Sequence, residues 1–364
     1  MNSKKQYLFV TNQFKTGGVE TVFYNISKKI DVNILLFPVH LNLNKDLIRR
    51  LPHNVKLLKN KYRIKRNVVS FIKIISMSFR YRKEYRNDNT KIINFSDTLT
   101  TLLFSYLLNP KNVVSWVHCN PEALLKAKTH SIYWWLLKKC RKIIFVSEAQ
   151  RNLFLSMPES EGIERAKTVV CTNFIDTDFI EKSRQEPLRT QNFLFTASRL
   201  DLRSKDYLTL IEAYSLLPIE TRQKYRLLIA GDGPDKLKIQ RKIEEKNLRD
   251  RIILLGNVNN PFTYMSKCKV FIHASISEGF AMSILEALAC GATVVASDCH
   301  VGPSEILDNG KYGYLYTPGD VNMLSQKICK ALGHGIPTNI AQKRANEITK
   351  LGICQVKEYL ENGE

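Results

Sequence analysis

Two doubly wound α/β domains, facing each other across a cleft, are what this sequence predicts, and three observations predict them. Short apolar runs alternate with longer stretches of helical spacing along almost the whole chain, the pattern of parallel strands covered by helices on both faces. The 364 residues exceed what one hydrophobic core normally supports, and a 44% apolar composition is ample for two cores. A polar, strand-poor stretch from Glu181 to Asn192 splits the alternation into two rounds. The expected boundary is near residue 186, giving a domain over 1–186, a second over 187–335 and a terminal segment over 336–364.

The first round opens with an apolar strand, Tyr7 to Thr11. A turn at Gly17-Gly18 follows, then Val19, Val22, Phe23, Ile26 and Ile30 at helical spacing. Further strands are expected at Asn33 to Phe37, Lys91 to Phe95, Asn112 to His118 and Lys142 to Ser147. In the second round the strands are Phe193 to Ser198, Arg226 to Gly231, Ile252 to Gly256, Val270 to His273 and Thr293 to Ser297. Helices are expected near Lys205 to Leu217, Pro234 to Lys246, Ser283 to Ala289 and Val321 to Leu332. Ligands in such sheets sit at the carboxyl ends of the strands, so the loops after the strands are the places to search.

The net charge of +21 is concentrated in one half. Residues 1–185 carry 32 Lys and Arg against 14 Asp and Glu, whereas residues 186–364 carry 23 against 20. Between Lys45 and Arg86 there are 14 basic residues and only two acids, interleaved with Val68, Val69, Phe71, Ile72, Ile74, Ile75, Met77, Phe79 and Tyr81. That mixture suits an amphipathic helix at an anionic membrane surface. Nucleic acid is the competing partner for a basic stripe, but no nucleic-acid motif accompanies it. An ordinary core-facing helix with a solvated basic face is the third reading. Tyr133-Trp134-Trp135 beside Lys138 and Lys139 fits either an interface or buried aromatic packing. No run of 18 uncharged apolar residues exists, so no membrane span is expected. Met1 to Gln6 lacks the pattern of a signal peptide. The eight cysteines have no metal-ligand spacing and read as buried, reduced thiols of a cytosolic protein.

The loops of the second round carry the chemistry. Arg199 and Lys205 follow a strand at a strand-to-helix turn; Arg offers a bidentate fork for phosphate oxygens and Lys a mobile point charge. Gly231-Asp232-Gly233-Pro234 is a tight turn with Pro at a helix start, and no dinucleotide G-x-G-x-x-G frame fits around it. The segment Ala274 to Gly291 sets Glu278 and Glu286 eight positions apart across an expected loop-to-helix junction. Amides around Gly279, Phe280 and Ala281 at that helix start could hold an anion, with a glutamate on either side accepting from sugar hydroxyls. A bland alternative exists: Ser275-x-x-Glu278 and Ser283-x-x-Glu286 both match a capping box. Asp176-x-Asp178 could point to carboxylates holding a divalent ion on a diphosphate.

Taken in order, these pieces resemble the retaining family 4 glycosyltransferases of GT-B fold. The resemblance runs through Gly17-Gly18-Val19-Glu20, Val117-His118, Val146-Ser147-Glu148, Asn173-Phe174-Ile175-Asp176, Ser198-Arg199-Leu200 with Lys205, Ala230-Gly231-Asp232-Gly233-Pro234, Glu278-Gly279-Phe280 to Glu286, and Gly302-Pro303-x-Glu305. The phenylalanine after Asn173 departs from the small residue common there. By this resemblance Arg199 and Lys205 bind the donor diphosphate, with amides near Gly279, Phe280 and Ala281 and the helix start at Ser283. Glu286 takes the ribose hydroxyls and Glu278 those of the transferred sugar. His118 faces the reacting sugar, Gly17 and Gly18 approach the diphosphate, Gly231 lines the nucleotide site, and Asn339 to Glu361 returns to the first domain. The implied activity is metal-independent, retaining transfer of a hexose or N-acetylhexosamine, with UDP preferred as the nucleotide. No cofactor, metal or nucleic acid is expected. The acceptor is expected to be a glycan, lipid-linked, in bacterial surface polysaccharide or oligosaccharide assembly. The expected location is the inner face of the membrane, peripheral and cytoplasmic, through residues 45–86 and 133–139. A GT-B sugar phosphorylase, a nucleotide-sugar epimerase and a non-catalytic sugar-binding relative are the alternatives.

Overall fold

A computed structural model describes residues 6–15, 17–40, 43–58, 68–85, 89–125 and 130–362. The chain forms two compact units, one made of residues 1–174 with 351–364 and the other of residues 175–350. Both are α/β units built on a wholly parallel sheet.

The first unit holds strands β1 (Gln6–Thr11), β2 (Asn33–Pro38), β3 (Val55–Leu57), β4 (Thr90–Asn94), β5 (Val113–Val117), β6 (Lys142–Phe145) and β7 (Thr168–Val170), in spatial order 3-2-1-4-5-6-7. Every pairing is parallel, and the inner strands β1, β2, β4, β5 and β6 are buried on both faces and read as largely apolar runs, whereas the edge strand β3 is not buried. Alternation of the pleat sends Leu8 and Val10 to one face, where they join Leu102, Phe104 and Leu137 from the covering helices. On the other face Phe9 packs against Phe23 and Phe95, and Phe95 against Trp116, with ring centroids 5.1 to 5.3 Å apart. The chain order reverses between β1 and β4, so their carboxyl ends form the topological switch point of this sheet.

The second unit holds β8 (Phe193–Ala197), β9 (Arg226–Ala230), β10 (Ile252–Gly256), β11 (Val270–His273), β12 (Val294–Ser297) and β13 (Tyr314–Tyr316), in order 10-9-8-11-12-13. Its switch point lies between β8 and β11. Leu194, Ile229, Ile272 and Val295 from the sheet and Leu210, Tyr214, Leu324 and Ile328 from helices form its core.

Several expectations need correction. The division falls between 174 and 175 rather than near 186, because the helix Thr177–Ser183 is tied into the second unit: Asn260 Nδ2 and Thr263 Oγ1 donate to the Ser183 carbonyl at 2.8 and 3.1 Å. The returning segment begins at Leu351 rather than 336, within a helix running Thr338–Lys357. There Tyr7 Oη donates to the Leu360 carbonyl at 2.7 Å and Gln355 Oε1 accepts from the Thr172 amide. The edge strands β3, β7 and β13 went unpredicted; three residues are too few to show a period. Not every cysteine is buried, since Cys354 is exposed. Part of the basic segment, residues 59–67 and 86, lies outside the described residues. The rest includes the helix Val68–Tyr85, which buries Ile74, Met77 and Tyr85 and leaves Ile72 and Phe79 exposed. Trp134 and Trp135 divide: Trp134 is buried and stacked on Phe154, whereas Trp135 is exposed.

Candidate functional site

The carboxyl ends of β8 and β11 bring together residues far apart in the chain. Lys205 and Ser275 form an isolated antiparallel bridge, which puts the loop after β8 beside the loop after β11. Lys205 Nζ makes an ion pair with Glu278 Oε1 and a 3.1 Å hydrogen bond to Ser275 Oγ. Ser275 Oγ donates to the same Glu278 oxygen at 2.7 Å, and His273 Nε2 stands 3.0 Å from it. Ser275 is itself held from below, its amide donating to Ser297 Oγ of β12 at 3.0 Å. Burial alone would raise the Glu278 carboxyl. The Lys205 ammonium and the His273 bond outweigh it and hold the group well below the usual carboxylate range. His273 is also pushed down, chiefly by burial and against the pull of Glu278, and so is a neutral imidazole at neutral pH.

Beyond Glu278 the chain turns sharply into the helix Met282–Ala289. Ala281 sits at its N-cap with φ 70° and ψ 56°, a left-handed conformation that a side chain adopts at a cost. The amides of Gly279, Phe280, Ala281, Met282 and Ser283 have no backbone acceptor among the described residues. Neither capping box forms. Ser275 Oγ serves the Glu278 side chain, and Ser283 lies inside the first turn, where no side chain caps the helix. Glu286, one turn further along, is half-buried, and burial pushes its carboxyl up to about 7. An acid at that pKa, beside a row of unengaged amides, is suited to accept hydrogen bonds from a ligand's hydroxyls.

The glycines have steric reasons. A Cβ on Gly231, at φ 133°, would stand 2.0 Å from the Ser198 carbonyl oxygen, because the loops after β8 and β9 lie against each other. Gly302, at φ 101°, lets the loop after β12 approach the Phe280 carbonyl, which a Cβ would meet at 2.5 Å. Arg199 does not join the Lys205 network. It is largely exposed, and its nearest carboxylate is Asp201 at 3.9 Å, which Arg203 engages at 2.6 Å. Asp176 caps the helix Thr177–Ser183, its Oδ1 accepting from the Phe179 amide at 3.2 Å, a structural use for a residue that could have belonged to a metal pair.

In the first unit Gly17 is the N-cap of the helix Gly18–Lys29 at the carboxyl end of β1, and its carbonyl accepts from the Thr21 amide. His118 follows β5. Its ring packs edge-on against Phe95 at 4.3 Å and parallel to Trp116 at 6.1 Å, and burial pushes it down to about 3. The loop it occupies is held by Asp97, whose carboxylate accepts from the His118 amide at 3.0 Å and the Cys119 amide at 2.8 Å. Burial pushes Asp97 up to about 6 despite those bonds. Sequence reasoning missed Asp97, His273 and Ser275. The signal for Asp97 was its place just after β4, at the switch point.

Residues 178–349 match the family model described as "Glycosyl transferases group 1". Among curated proteins, N-acetylgalactosamine-N,N'-diacetylbacillosaminyl-diphospho-undecaprenol 4-alpha-N-acetylgalactosaminyltransferase of Campylobacter jejuni is 27% identical over 326 residues, covering 85% of this chain and 86% of its own. Poly(ribitol-phosphate) alpha-N-acetylglucosaminyltransferase of Staphylococcus aureus is 28% identical over 198 residues, 54% of this chain and 38% of that protein. Among solved structures, Anabaena HepE in complex with UDP and glucose superposes with a TM-score of 0.76 at 20% identity, covering 98% of both chains. WaaG, a glycosyltransferase involved in lipopolysaccharide biosynthesis, gives 0.71 at 15% identity over 98% of this chain and 100% of its own. The fold is that of GT-B glycosyltransferases.

Proposed function

We propose that this glycosyltransferase, whose residues 178–349 match the glycosyl transferases group 1 model, is a retaining enzyme that moves a hexose or N-acetylhexosamine from UDP to a lipid-linked glycan, without a divalent cation. The observation that carries the reading is the cluster at the β8/β11 switch point. A cation, a fixed carboxylate and a row of unengaged amides converge there within one loop pair. Breaking the anomeric C–O bond leaves negative charge on the departing diphosphate, and charges already in place stabilise it without reorganising. Lys205 and the amides from Gly279 to Ser283 take that role, with Arg199 reaching in from the exposed rim. Glu286 accepts from the ribose and Glu278 from the sugar. The acceptor oxygen bonds to the anomeric carbon from the face the diphosphate leaves, and its proton passes to the departing phosphate. His118, Gly17 and Gly18 enter through the family resemblance; each lies at the carboxyl end of a strand of its own sheet.

Two relatives support the finer assignments. HepE was solved with UDP and glucose, and the Campylobacter relative is named for a diphospho-undecaprenol-linked substrate. The first unit carries a surface suited to an anionic bilayer. The helix Val68–Tyr85 exposes Ile72, Phe79, Lys73, Arg80 and Lys83, and the helix His130–Lys139 exposes Ile132 and Trp135, with Lys139 over the Trp135 ring at 5.8 Å. Tyr106, on the helix that touches both, packs edge-on against Trp135. No described helix is long and apolar enough to cross a membrane, so attachment is peripheral, at the cytoplasmic face in this proposal.

The test is a panel of UDP-, GDP- and ADP-sugars read by thermal shift and by nucleotide release. The cognate donor, at a hundredfold excess over its Kd, raises stability by about 2.7 kcal/mol. Glu286→Ala removes that shift, and EDTA leaves turnover unchanged. Silencing by EDTA, or a shift that survives Glu286→Ala, overturns the assignment.

A further inference from the structure

Glu278 is held in an asymmetric way. Lys205 Nζ, Ser275 Oγ and His273 Nε2 all approach one carboxylate oxygen, Oε1. The other, Oε2, makes no hydrogen bond among the described residues. One carboxylate oxygen has two lone pairs, so three donors more than saturate it, and the carboxylate cannot rotate about its terminal bond without breaking all of these contacts.

We propose that His273 is a positioning residue for sugar transfer: with Ser275 and Lys205 it saturates Oε1 of Glu278 and so presents Oε2 alone, in one orientation, to hydroxyls of the donor sugar. The inference rests on the reading of Glu278 as the sugar's acceptor. The geometry requires a particular tautomer. A bare Nε2 lone pair 3.0 Å from a carboxylate oxygen would repel it, so the proton sits on Nε2. Nδ1 is then bare, and it is buried with no hydrogen-bond partner among the described residues. Every other residue of β11 is Val, Phe or Ile, and an apolar side chain at 273 would fill the same volume without burying an unpartnered nitrogen. The polar residue is explained by what its other nitrogen does.

The bond is also a division of labour with Lys205. An ammonium is a point charge with three rotatable donors and fixes the charge of Glu278 but not its rotation. Imidazole is planar and is locked within a strand whose register places His273 beside Ala296 of β12. It supplies the direction.

Two variants separate this role from packing. His273→Phe fills the space without a donor, and His273→Gln restores an N–H at similar reach. Each is compared with wild type for binding of UDP, of UDP-glucose and of UDP-N-acetylglucosamine, and for turnover with the sugar that binds. In His273→Phe the affinity for UDP stays within about twofold, the extra affinity conferred by the sugar is lost, and kcat falls at least tenfold; His273→Gln recovers most of both. Ser275→Ala, which takes a second donor from the same oxygen, moves the same quantities in the same direction and stands in if His273→Phe does not fold. Equal impairment of His273→Phe and His273→Gln, or an unchanged ratio of UDP to UDP-sugar affinity, overturns the proposal alone. Failure of wild-type protein to bind UDP or either sugar nucleotide overturns the donor-site reading, and this proposal with it.

Discussion

The two units share a topology and differ in how they treat charge at the ends of their strands. At the β8/β11 switch point the groups are ionic: Lys205 faces Glu278, and the carboxyl is held well below its ordinary range. At the ends of β4 and β5 burial works against charge: His118 is pushed down to about 3 and stays neutral, and Asp97 is pushed up to about 6 while its carboxylate is held by two backbone amides. The basic excess of the first unit is carried elsewhere, in part by exposed positions of its covering helix Val68–Tyr85. A parallel sheet thus supplies a place for chemistry, and the local pairing of side chains decides whether that place is charged. One strand end is built around a fixed cation and the other around neutral rings and oriented amides.

Removing the cation should break the contrast most severely. Lys205→Ala leaves Glu278 buried without its counter-charge, and about 3 kcal/mol of stability is lost together with all detectable transfer. Urea denaturation and nucleotide release measure both, and retention of activity would mean that Arg199 or the amides suffice. Next comes the other strand end. Asp97→Asn keeps the shape but removes the charge from the two bonds at Oδ2 and turns an NH2 toward the His118 amide at the Oδ1 position, at a cost of about 1.5 to 3 kcal/mol. The sign of its pH effect is defined. A carboxyl raised from 3.8 to about 6 stabilises the fold below 3.8 and loses that contribution as pH rises to 6. Urea midpoints of the wild type should therefore carry a pH dependence in that window that Asp97→Asn lacks. The smallest effect concerns Glu286, whose carboxyl lies at about 7 in the free protein. Ribose hydroxyls donating to it favour the ionised form, so UDP binding should release up to one proton between pH 5 and 7 and tighten as pH rises. Calorimetry in buffers of different ionisation enthalpy reads that release, and Glu286→Gln should abolish it; an unchanged release would move the ribose to another residue.

The sequence disclosed the strands that are buried on both faces, because Leu8 to Val10 or Phe271 to Ile272 could be nothing but apolar. It concealed the three-residue edge strands, which are too short to display a period. In the site it revealed Lys205 and Glu278 as charged residues in the loops after apolar strands, and Glu286 by its eight-residue spacing from Glu278 across a loop-to-helix junction. His273 was hidden as the last residue of a strand, and Ser275 was hidden inside a pattern that imitated a helix cap. That pattern misled because the helix starts at Met282, after Ala281 has turned into the left-handed region.

What the sequence determined by itself is the alternation that yields two parallel sheets, and the kinds of chemistry placed in the loops after their strands. Which of those groups meet was decided by the tertiary structure. Lys205 and Glu278 are 73 positions apart and pair because β8 and β11, distant in the chain, are neighbours in the sheet. Arg199, only six residues before Lys205, stays outside their network. Hydrogen bonds and ion pairs act over a few ångströms of space, and the crossover connections of the sheet set that distance independently of separation along the chain.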